Sequence, residues 1–378
     1  MKPPSLSRLS PYICTTCRRN TPSSTRNLTT TTKNPPTPPP TAYARLPSRR
    51  LISLTGPDST RFLQGAITAN IAPTPISMFT SVSQAPGFYT AFLNPAGRVM
   101  YDVFVYPFAD PGTEDGGWLI EVDAKEVEGL AKHVKRYKLR SQFKVRVLEE
   151  GEKGVWAAWD EGADSLEGKR DWMGCEDERA PGMGRRLILP GDQRPEVDGE
   201  EVHEDVYRVR RYLKGVAEGQ GELVYTSALP QESNIDYMGG IDYRKGCYVG
   251  QELTIRTHHM GVVRKRILPV MLYGIDEPMP TSLEYDPTKE YGVERIPRDT
   301  GIAPWEKRGR SAGKFLTGVG NIGLGLCRLA MMTDVRLQGE AGKYEEGDEF
   351  KLEWQFEELK PEKVKVKAFV PSWHLQEK

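Results

Sequence analysis

The eight residues Lys245-Gly246-Cys247-Tyr248-Val249-Gly250-Gln251-Glu252 decide how the fold and function of this chain are interpreted. They place one thiol between glycines and directly after two cations, Arg244 and Lys245. Nearby positive charge favours the thiolate, and glycine lets a backbone approach a partner or adopt positive φ. The segment from Leu253 to Thr257 has helical character, and a thiol before a helix N-terminus gains acidity. The sequence therefore predicts that Cys247 is a functional cysteine, with Lys245 acting beside it.

The other cysteines limit what Cys247 can do. Cys14 and Cys17 form a C-x-x-C in the basic N-terminal stretch, while Cys175 and Cys327 stand 72 residues before and 80 residues after Cys247. Scattered thiols make no disulfide framework, and an iron–sulfur cluster usually needs four thiolates. The chain is therefore not expected to hold a cluster by itself. A lone cysteine is by default a small buried apolar residue, and the basic, glycine-flanked setting argues against that alternative.

Length and charge exclude several classes of protein. The chain has 378 residues, which is too long for one ordinary core and indicates two or three packed units. No apolar run approaches the ~20 residues that cross a bilayer, so no membrane span is expected. Residues 1–50 hold nine Lys or Arg and no acid, so residues 51–378 carry nine more acidic than basic side chains. Such an acidic body argues against a nucleic-acid-binding surface.

The basic N-terminus is typical of a targeting segment. Residues 1–45 are predicted to be a mitochondrial presequence and a Pro-rich linker, because they are rich in Ser, Thr and Arg and lack acids. The proline-rich stretch at residues 35–40 cannot continue a helix, and the apolar core of a secretory signal is missing. The alternative is a disordered basic tail. The targeting interpretation places the protein in the mitochondrial matrix.

Patterns after residue 46 predict an α+β fold. Phe88 to Leu93 and Arg98 to Tyr106 are strand-like on both sides of an Asn-Pro-x-Gly turn, which indicates a β-hairpin. A further strand, Trp118 to Val122, leads through the predicted cap Asp123 into a helix and then another strand. This order suggests a layer of strands with helices on one face. Strict alternation in the hairpin would place on one face Val99, Tyr101, Val103 and Val105, and on the other Met100, Asp102, Phe104 and Tyr106.

Composition divides the rest of the chain. Residues 149–200 are charged and Gly-rich and are interpreted as an insertion of variable strands and loops, and residues 215–244 as mostly loop. Several strand-like runs with turn signals then predict a C-terminal β-barrel over residues 266–378, with a Pro-rich surface insertion at about residues 276–311.

Two motifs that imitate ligand sites are discounted. The run Gly318-Val319-Gly320-Asn321-Ile322-Gly323 matches G-x-G-x-x-G, but no βαβ unit surrounds it, and turn glycines of the barrel explain it better. The neighbours His258 and His259 would point to opposite faces of a strand and could not chelate one metal ion. No metal site is predicted.

The motif around Cys247 resembles the K-G-C-Y-x-G-Q-E signature of the YgfZ-type folate-binding proteins. That family includes mitochondrial iron–sulfur assembly factors and is related to the glycine-cleavage aminomethyltransferase. The resemblance covers residues 46–270, and a match over eight positions around a fixed cysteine makes it specific. Further stretches resemble the family in the same order, at Leu54–Asp58, Phe62–Gly65, Asn94–Arg98, Leu229–Asn234 and Arg256–Arg266.

The resemblance implies an α+β, aminomethyltransferase-like fold of several lobes with a C-terminal β-barrel. Residues 46–265 would form the folate-binding region in two lobes, with tetrahydrofolate in a central cleft. It also implies service to the maturation of [4Fe–4S] proteins beside A-type iron–sulfur scaffold proteins, with Cys247 essential. The thiol could lend a ligand to a transient shared cluster, act in redox repair or touch the folate. A lone thiolate suits a shared cluster better than a complete one.

Folate chemistry selects the binding residues. The pterin amino and N–H groups require a carboxylate, and the glutamate tail requires cations. Glu232 is predicted as the first candidate carboxylate and Asp102 as the second, with Arg256 or Arg264 as the cation for the tail. From the family motif, the further predicted cofactor-binding residues are Gly246, Gln251 and Glu252.

Two departures from the family pattern bear on catalysis. The aminomethyltransferases carry an adjacent Asp-Asp pair where this chain has Tyr101-Asp102, and the family commonly has Thr-Asn-Asp where it has Thr68-Ala69-Asn70. In the resembling enzymes one of the paired carboxylates positions the reactive region of folate. Its loss favours a folate-binding assembly factor over the alternative, a tetrahydrofolate-dependent aminomethyl or one-carbon transferase. A thiol-bearing structural module is the third interpretation.

Overall fold

The computed structural model describes the chain from residue 34 to residue 375 with several gaps. The described ranges are 34–71, 86–109, 116–162, 173–306, 310–337, 339, 342, 344–355 and 362–375. Most of the predicted presequence, including Cys14 and Cys17, lies outside the described residues. None of the described helices combines the length and the hydropathy that crossing a bilayer requires.

Sixteen strands and five α-helices follow one another in the described part of the chain. The strands are β1 (Thr41–Arg45), β2 (Arg49–Thr55), β3 (Phe88–Leu93), β4 (Val99–Ala109), β5 (Gly116–Asp123), β6 (Lys144–Val147), β7 (Lys153–Asp160), β8 (Met173–Glu176), β9 (Arg185–Pro190), β10 (Glu200–Val202), β11 (Lys265–Tyr273), β12 (Gly301–Pro304), β13 (Gly313–Val319), β14 (Ile322–Arg328), β15 (Phe350–Trp354) and β16 (Glu362–Ala368). The helices are α1 (Ser59–Ala66), α2 (Val127–Tyr137), α3 (Glu204–Lys214), α4 (Gln251–Met260) and α5 (Leu329–Met332).

Two five-stranded sheets pack face to face in the N-terminal half. The first sheet has the order β3-β4-β5-β2-β6, and the second sheet has the order β10-β1-β7-β9-β8. Apolar residues of both sheets meet in one core, while α1 and α2 cover the other face of the first sheet. Asp123 Oδ1 accepts a hydrogen bond from the Lys125 backbone N–H at 2.9 Å and so caps a 3₁₀ turn, Ala124–Glu126, that leads into α2. The N-cap of α2 itself is Glu126, which makes no side-chain cap hydrogen bond, so the predicted cap lies one turn before the α-helix. The predicted strand layer with helices on one face is therefore present.

The C-terminal region closes into a six-stranded barrel of order β11-β14-β13-β12-β15-β16. Its interior is apolar and includes Phe315, Leu352 and Val366. Gly320 and Asn321 join β13 to β14, so the G-x-G-x-x-G run is a hairpin of the barrel, as predicted. Helix α3 connects the barrel to the second sheet, since Val209 and Tyr212 pack in a core with barrel residues.

Three sequence-based boundaries differ from the structure. Strand β1 and the residues before it belong to the folded body, where Asn34 Nδ2 donates to the Pro287 carbonyl oxygen at 3.1 Å. Residues 149–200 are no insertion, because β7 and β9 are inner strands of the second sheet. The stretch predicted as a Pro-rich insertion at 276–311 contains β12, a strand of the barrel.

The predicted faces of the β3–β4 hairpin are partly wrong. Phe92 pairs with Tyr101 and Leu93 pairs with Val99, so Met100 is an extra residue in a β-bulge. Alternation restarts there, and Met100 packs with Tyr101 on the helix side while Val99 faces the core between the sheets. From Tyr101 to Tyr106 the predicted alternation is confirmed.

Candidate functional site

The loop of residues 242–250, called here the cysteine loop, is attached to the body at both of its ends. The Asp242 backbone N–H donates to the Thr68 carbonyl oxygen at 3.0 Å. The Val249 backbone N–H donates to the Gly65 carbonyl oxygen at 3.1 Å. Backbone hydrogen bonds at both ends leave the residues between them little freedom to change position.

Lys245 fixes the same loop from its middle. Its ammonium donates to the carbonyl oxygens of Ile67 and Ala69, both at 2.7 Å. These carbonyls follow the C-terminus of α1, where unpaired oxygens and the helix dipole favour a cation. Burial lowers the pKa of Lys245 to about 8, although Asp242 acts in the opposite direction. Lys245 therefore holds the loop on the end of α1 rather than standing free beside the thiol.

Two glycines allow the hairpin turn before β4 and the end of the cysteine loop, which are far apart in sequence, to come close together. Gly250 has φ +80°, and a Cβ there would lie 2.3 Å from the Asn94 carbonyl oxygen. Gly97, in the hairpin turn, has φ +76°, and a Cβ there would lie 2.9 Å from the Leu253 Cβ. The Asn-Pro-x-Gly turn and the end of the cysteine loop are thus in close contact, which requires glycine on both sides.

Cys247 differs from the other cysteines that the structure describes. Its side chain is exposed, whereas Cys175 and Cys327 are buried. Burial raises the pKa of the Cys327 thiol to about 12 and that of Cys175 well above its ordinary value. Within the described ranges, Cys247 is therefore the thiol that a partner can reach.

The predicted site residues around Cys247 share one loop and helix. Gly246 is exposed and has open space where a Cβ would lie. Gln251 Oε1 accepts from the Tyr248 backbone N–H at 3.1 Å and so stabilises the turn into α4. Glu252 and Arg256 are exposed on α4. These side chains present a surface next to the thiol.

His258 and His259 were expected on a strand, but both lie on helix α4. The His258 ring stacks on Tyr243 with the ring centroids 3.6 Å apart. This contact joins the last turn of α4 to the cysteine loop. No group of three or more His, Cys, Asp or Glu side chains in the described part of the chain is arranged to hold a metal ion.

Glu232 lies apart from the cysteine loop, in a charged cavity of about 270 Å³. Its carboxylate pairs with Lys265 Nζ at 2.8 Å. The charged residues that line this cavity are Arg98, Glu222, Glu232, Lys265, Asp299, Lys314 and Arg328. Arg256 is not among its lining residues, so the structure does not bring the predicted carboxylate and the predicted cation into one pocket.

A second cavity of about 430 Å³, called here the aromatic cavity, adjoins the cysteine loop, and Asp242 belongs to both. Its aromatic walls come from Phe88, Tyr89, Phe104 and Trp118. Three carboxylates also line it, those of Glu176, Glu178 and Asp242. The sequence does not predict this cavity, because its walls come from both sheets and from the loop before Cys247.

Asp102 lies in a cluster of charged side chains sealed between the two sheets, called here the buried ion cluster. Asp102 Oδ1 accepts from the Gly219 backbone N–H at 3.0 Å, and Oδ2 lies 3.8 Å from Arg49 Nη1. Burial raises the pKa of Asp102, although Arg49 acts in the opposite direction. Asp102 lines neither cavity. The cluster consists of Arg49, Asp102, Glu121, Asp177, Arg179, Arg186, Arg211, Glu218 and Glu222.

Comparisons with known proteins agree with this architecture. A family model described as "CAF17, C-terminal beta-barrel domain" matches residues 264–376. Among solved structures, glycine cleavage system aminomethyltransferase T from Bartonella henselae aligns with a TM-score of 0.58 over 89% of this chain and 87% of that chain, at 13% identity. At this identity the likeness concerns the fold alone, and it confirms the predicted aminomethyltransferase-like fold with a C-terminal barrel.

Sequence relatives are much closer. The chain is 51% identical to the protein of Pyricularia oryzae named iron-sulfur cluster assembly factor IBA57 homolog, mitochondrial, over 88% of this chain and 84% of that protein. The protein of the same name in Neosartorya fischeri is 47% identical, over 89% and 82%. These names confirm the predicted mitochondrial location. The chain belongs to the IBA57 family of mitochondrial iron–sulfur cluster assembly factors.

Proposed function

We propose that this chain supports the maturation of [4Fe–4S] proteins in the mitochondrial matrix by lending the Cys247 thiolate to a cluster that a partner carries. The observation that carries the proposal is the exposure of Cys247 on a loop attached at both ends to the body. A fixed, exposed thiol reaches an external ligand at little cost in conformational entropy. The names of its relatives supply the chemical class of that ligand.

A single thiolate defines the kind of partner. Iron–sulfur clusters usually need four protein ligands, and the other two described cysteines are buried in separate cores. The remaining ligands must therefore come from another protein, and A-type iron–sulfur scaffold proteins are the partners we propose. Lys245 contributes by holding the cysteine loop in place through the two carbonyl oxygens beyond α1.

Mixing the purified chain with an A-type scaffold that carries a [2Fe–2S] cluster tests this function. The wild-type chain is expected to change the visible circular dichroism of the cluster, because a new thiolate enters its coordination. Cys247→Ser is expected to leave the spectrum of the loaded scaffold unchanged, since an alcohol is a poor ligand for a soft cluster. Cys327→Ser, the same substitution at a buried thiol, should behave as wild type. An identical spectral change with Cys247→Ser would refute the proposal.

Tetrahydrofolate is the cofactor we propose, bound in the aromatic cavity. A volume of about 430 Å³ lies within the ~300–1,000 Å³ of small-molecule sites, and flat aromatic walls suit a pterin ring. Of the three carboxylates, Glu176 pairs with Arg185 and Asp242 Oδ1 accepts from the Arg244 backbone N–H. Glu178 is therefore our choice for the pterin amino group. Bound there, tetrahydrofolate would supply a reduced pterin beside the cysteine loop.

Equilibrium dialysis of tetrahydrofolate against purified variants tests the cavity. Phe88→Ala is expected to weaken binding about tenfold, because an aromatic contact worth ~1 kcal/mol and its buried area are lost. Phe62→Ala is the matched control. Phe62 and Phe88 are both partly buried and pack on the same apolar core, but only Phe88 lines the cavity. Equal affinity for both variants and the wild type would contradict this site.

Two observations favour assembly over transfer of a one-carbon unit. Tyr101, at the position of one enzyme carboxylate, faces the helix side of the first sheet and packs against Tyr225. Asp102, at the position of the other, is fully buried and forms part of the ion cluster. We therefore infer a binding and assembly role rather than a transferase role.

A further inference from the structure

Helix α4 has exposed apolar side chains at both of its ends. Eight large apolar side chains are classed as exposed in the described part of the structure, and three of them lie within residues 249–262. They are Val249, Met260 and Val262, and Met260 is 79% exposed. Met260 and Val262 are neighbours at the C-terminal end of α4, and adjacent exposed apolar side chains mark interaction sites more often than single ones do. This group is continuous in the chain with the cysteine loop.

Helix α4 presents one face to solvent. Thr254 is its one fully buried residue, and Leu253 packs on the hairpin glycine Gly97. Exposed residues recur at the spacing i, i+4, i+7 and i+8, which places them on the same side of a helix. They are Glu252, Arg256, His259 and Met260. Ten helical residues extend this face over ~15 Å, and the stacking of His258 on Tyr243 holds it against the cysteine loop.

The charge of this segment is opposite to that of the body. Residues 244–264 contain four Lys or Arg and one Glu, whereas residues 51–378 as a whole have nine more acids than bases. A local positive region on a negative protein directs an acidic partner to that place and repels it elsewhere. The exposed cysteine lies within this positive segment.

We propose that the outward face of α4, with Val249 and Val262 at its two ends, is the docking surface for the protein that carries the cluster. This partner presents an acidic surface and an apolar recess that receives Met260. Its acidic groups meet Arg256, and the cluster then lies over the Cys247 thiol. The inference rests on the proposed function, because it assigns to the same partner the contacts that precede sulfur ligation.

Binding of a cluster-loaded A-type scaffold to the full chain, measured by interferometry at several salt concentrations, tests this surface. Arg256→Glu is expected to weaken binding about tenfold and to flatten the salt dependence, since a charge at an interface acts on association. Met260→Ser is expected to weaken binding about tenfold as well, because most of a methionine side chain returns to water. The matched controls are Arg136→Glu and Leu139→Ser, which make the same kinds of change at the exposed end of α2.

The outcomes separate this inference from the function on which it rests. If Arg256→Glu and Met260→Ser bind like wild type, the docking surface is wrong, whatever Cys247 does. If both weaken binding while Cys247→Ser still changes the cluster spectrum, the surface is correct and the sulfur proposal is wrong. Sedimentation adds a further test, because a wild-type dimer that Met260→Ser converts to a monomer would assign the face to a second copy and overturn the inference. Circular dichroism in the far ultraviolet confirms that every variant is folded.

Discussion

Replacement of Glu218 by glutamine is expected to lower the free energy of unfolding by about 3–5 kcal/mol, the usual cost of breaking a buried ion pair from one side. Glu218 is the central carboxylate of the buried ion cluster. It contacts Arg186 Nη2, lies 2.8 Å from Arg179 Nη1 and lies 3.8 Å from Arg211 Nε. Glutamine keeps the shape but leaves these guanidinium groups short of negative charge between two sheets. Urea denaturation of the purified chain measures the loss.

A control at a surface ion pair and a series of pH values strengthen this test. Glu152 also binds an arginine through two hydrogen bonds, at 2.7 and 2.9 Å from Arg146, but at the surface. Glu152→Gln is therefore expected to cost less than ~1 kcal/mol. Burial alone would raise the pKa of Glu218, but Arg186 and Arg179 hold it well below the ordinary value of 4.5. Its stabilising effect is thus fully present above pH 4.5 and declines below it, so the gap between wild type and Glu218→Gln should narrow in acid. If the free energies of unfolding of wild type and Glu218→Gln differ by less than about 1 kcal/mol at neutral pH, Glu218 is not the charged partner of these arginines.

The buried ion cluster shows what the sequence could and could not predict. Glu121 lies inside the apolar strand Trp118 to Val122, and Arg186 directly precedes Leu187. A charge inside an apolar strand is a signal that a partner is needed, because an unpaired buried charge is very costly. The partner itself depends on how two sheets meet, and Arg186 and Glu218 are 32 residues apart. Sequence periodicity contains no information about that distance.

The fold was predictable where local chemistry sets it. Asp123 caps the 3₁₀ turn that leads into α2, the Asn-Pro-x-Gly turn forms the hairpin, and apolar strands with turn glycines form the barrel. The bulge at Met100 was not predictable, because a bulge adds one residue without changing the composition of the strand. Residues 149–200 were misinterpreted for a related reason. Their strands are short and separated by charged turns, and the sheet that unites them includes β1 from far upstream.

The sequence singled out Cys247 but not the cavity beside its loop. The signature around Cys247 predicted a functional cysteine, and in the structure this side chain is exposed on a loop whose two ends are hydrogen-bonded to the body. Glu232, Asp102 and Arg256 lie in three different environments, so one pocket does not contain them. Their roles toward folate remain predictions. The aromatic cavity could not be predicted, because each segment of the chain contributes only a few of its lining residues.

Cys247→Ser is expected to abolish most of the function in cells. A serine hydroxyl cannot replace a thiolate as a ligand to an iron–sulfur cluster, so the activity of mitochondrial [4Fe–4S] enzymes should fall at least about tenfold, the scale on which metal sites respond to altered ligation. Enzymes with [2Fe–2S] clusters should keep their activity. The fold should be unaffected, because the side chain is exposed.

The comparison of three strains tests the central claim most directly. Cells that carry only the wild-type chain, Cys247→Ser or Cys327→Ser are assayed for a [4Fe–4S] enzyme such as aconitase and, separately, for a [2Fe–2S] enzyme, with equal amounts of each variant confirmed by immunoblot. We predict that only Cys247→Ser lowers the first activity and that no variant lowers the second. Retention of the [4Fe–4S] activity by Cys247→Ser, or equal loss of both activities, would contradict the account.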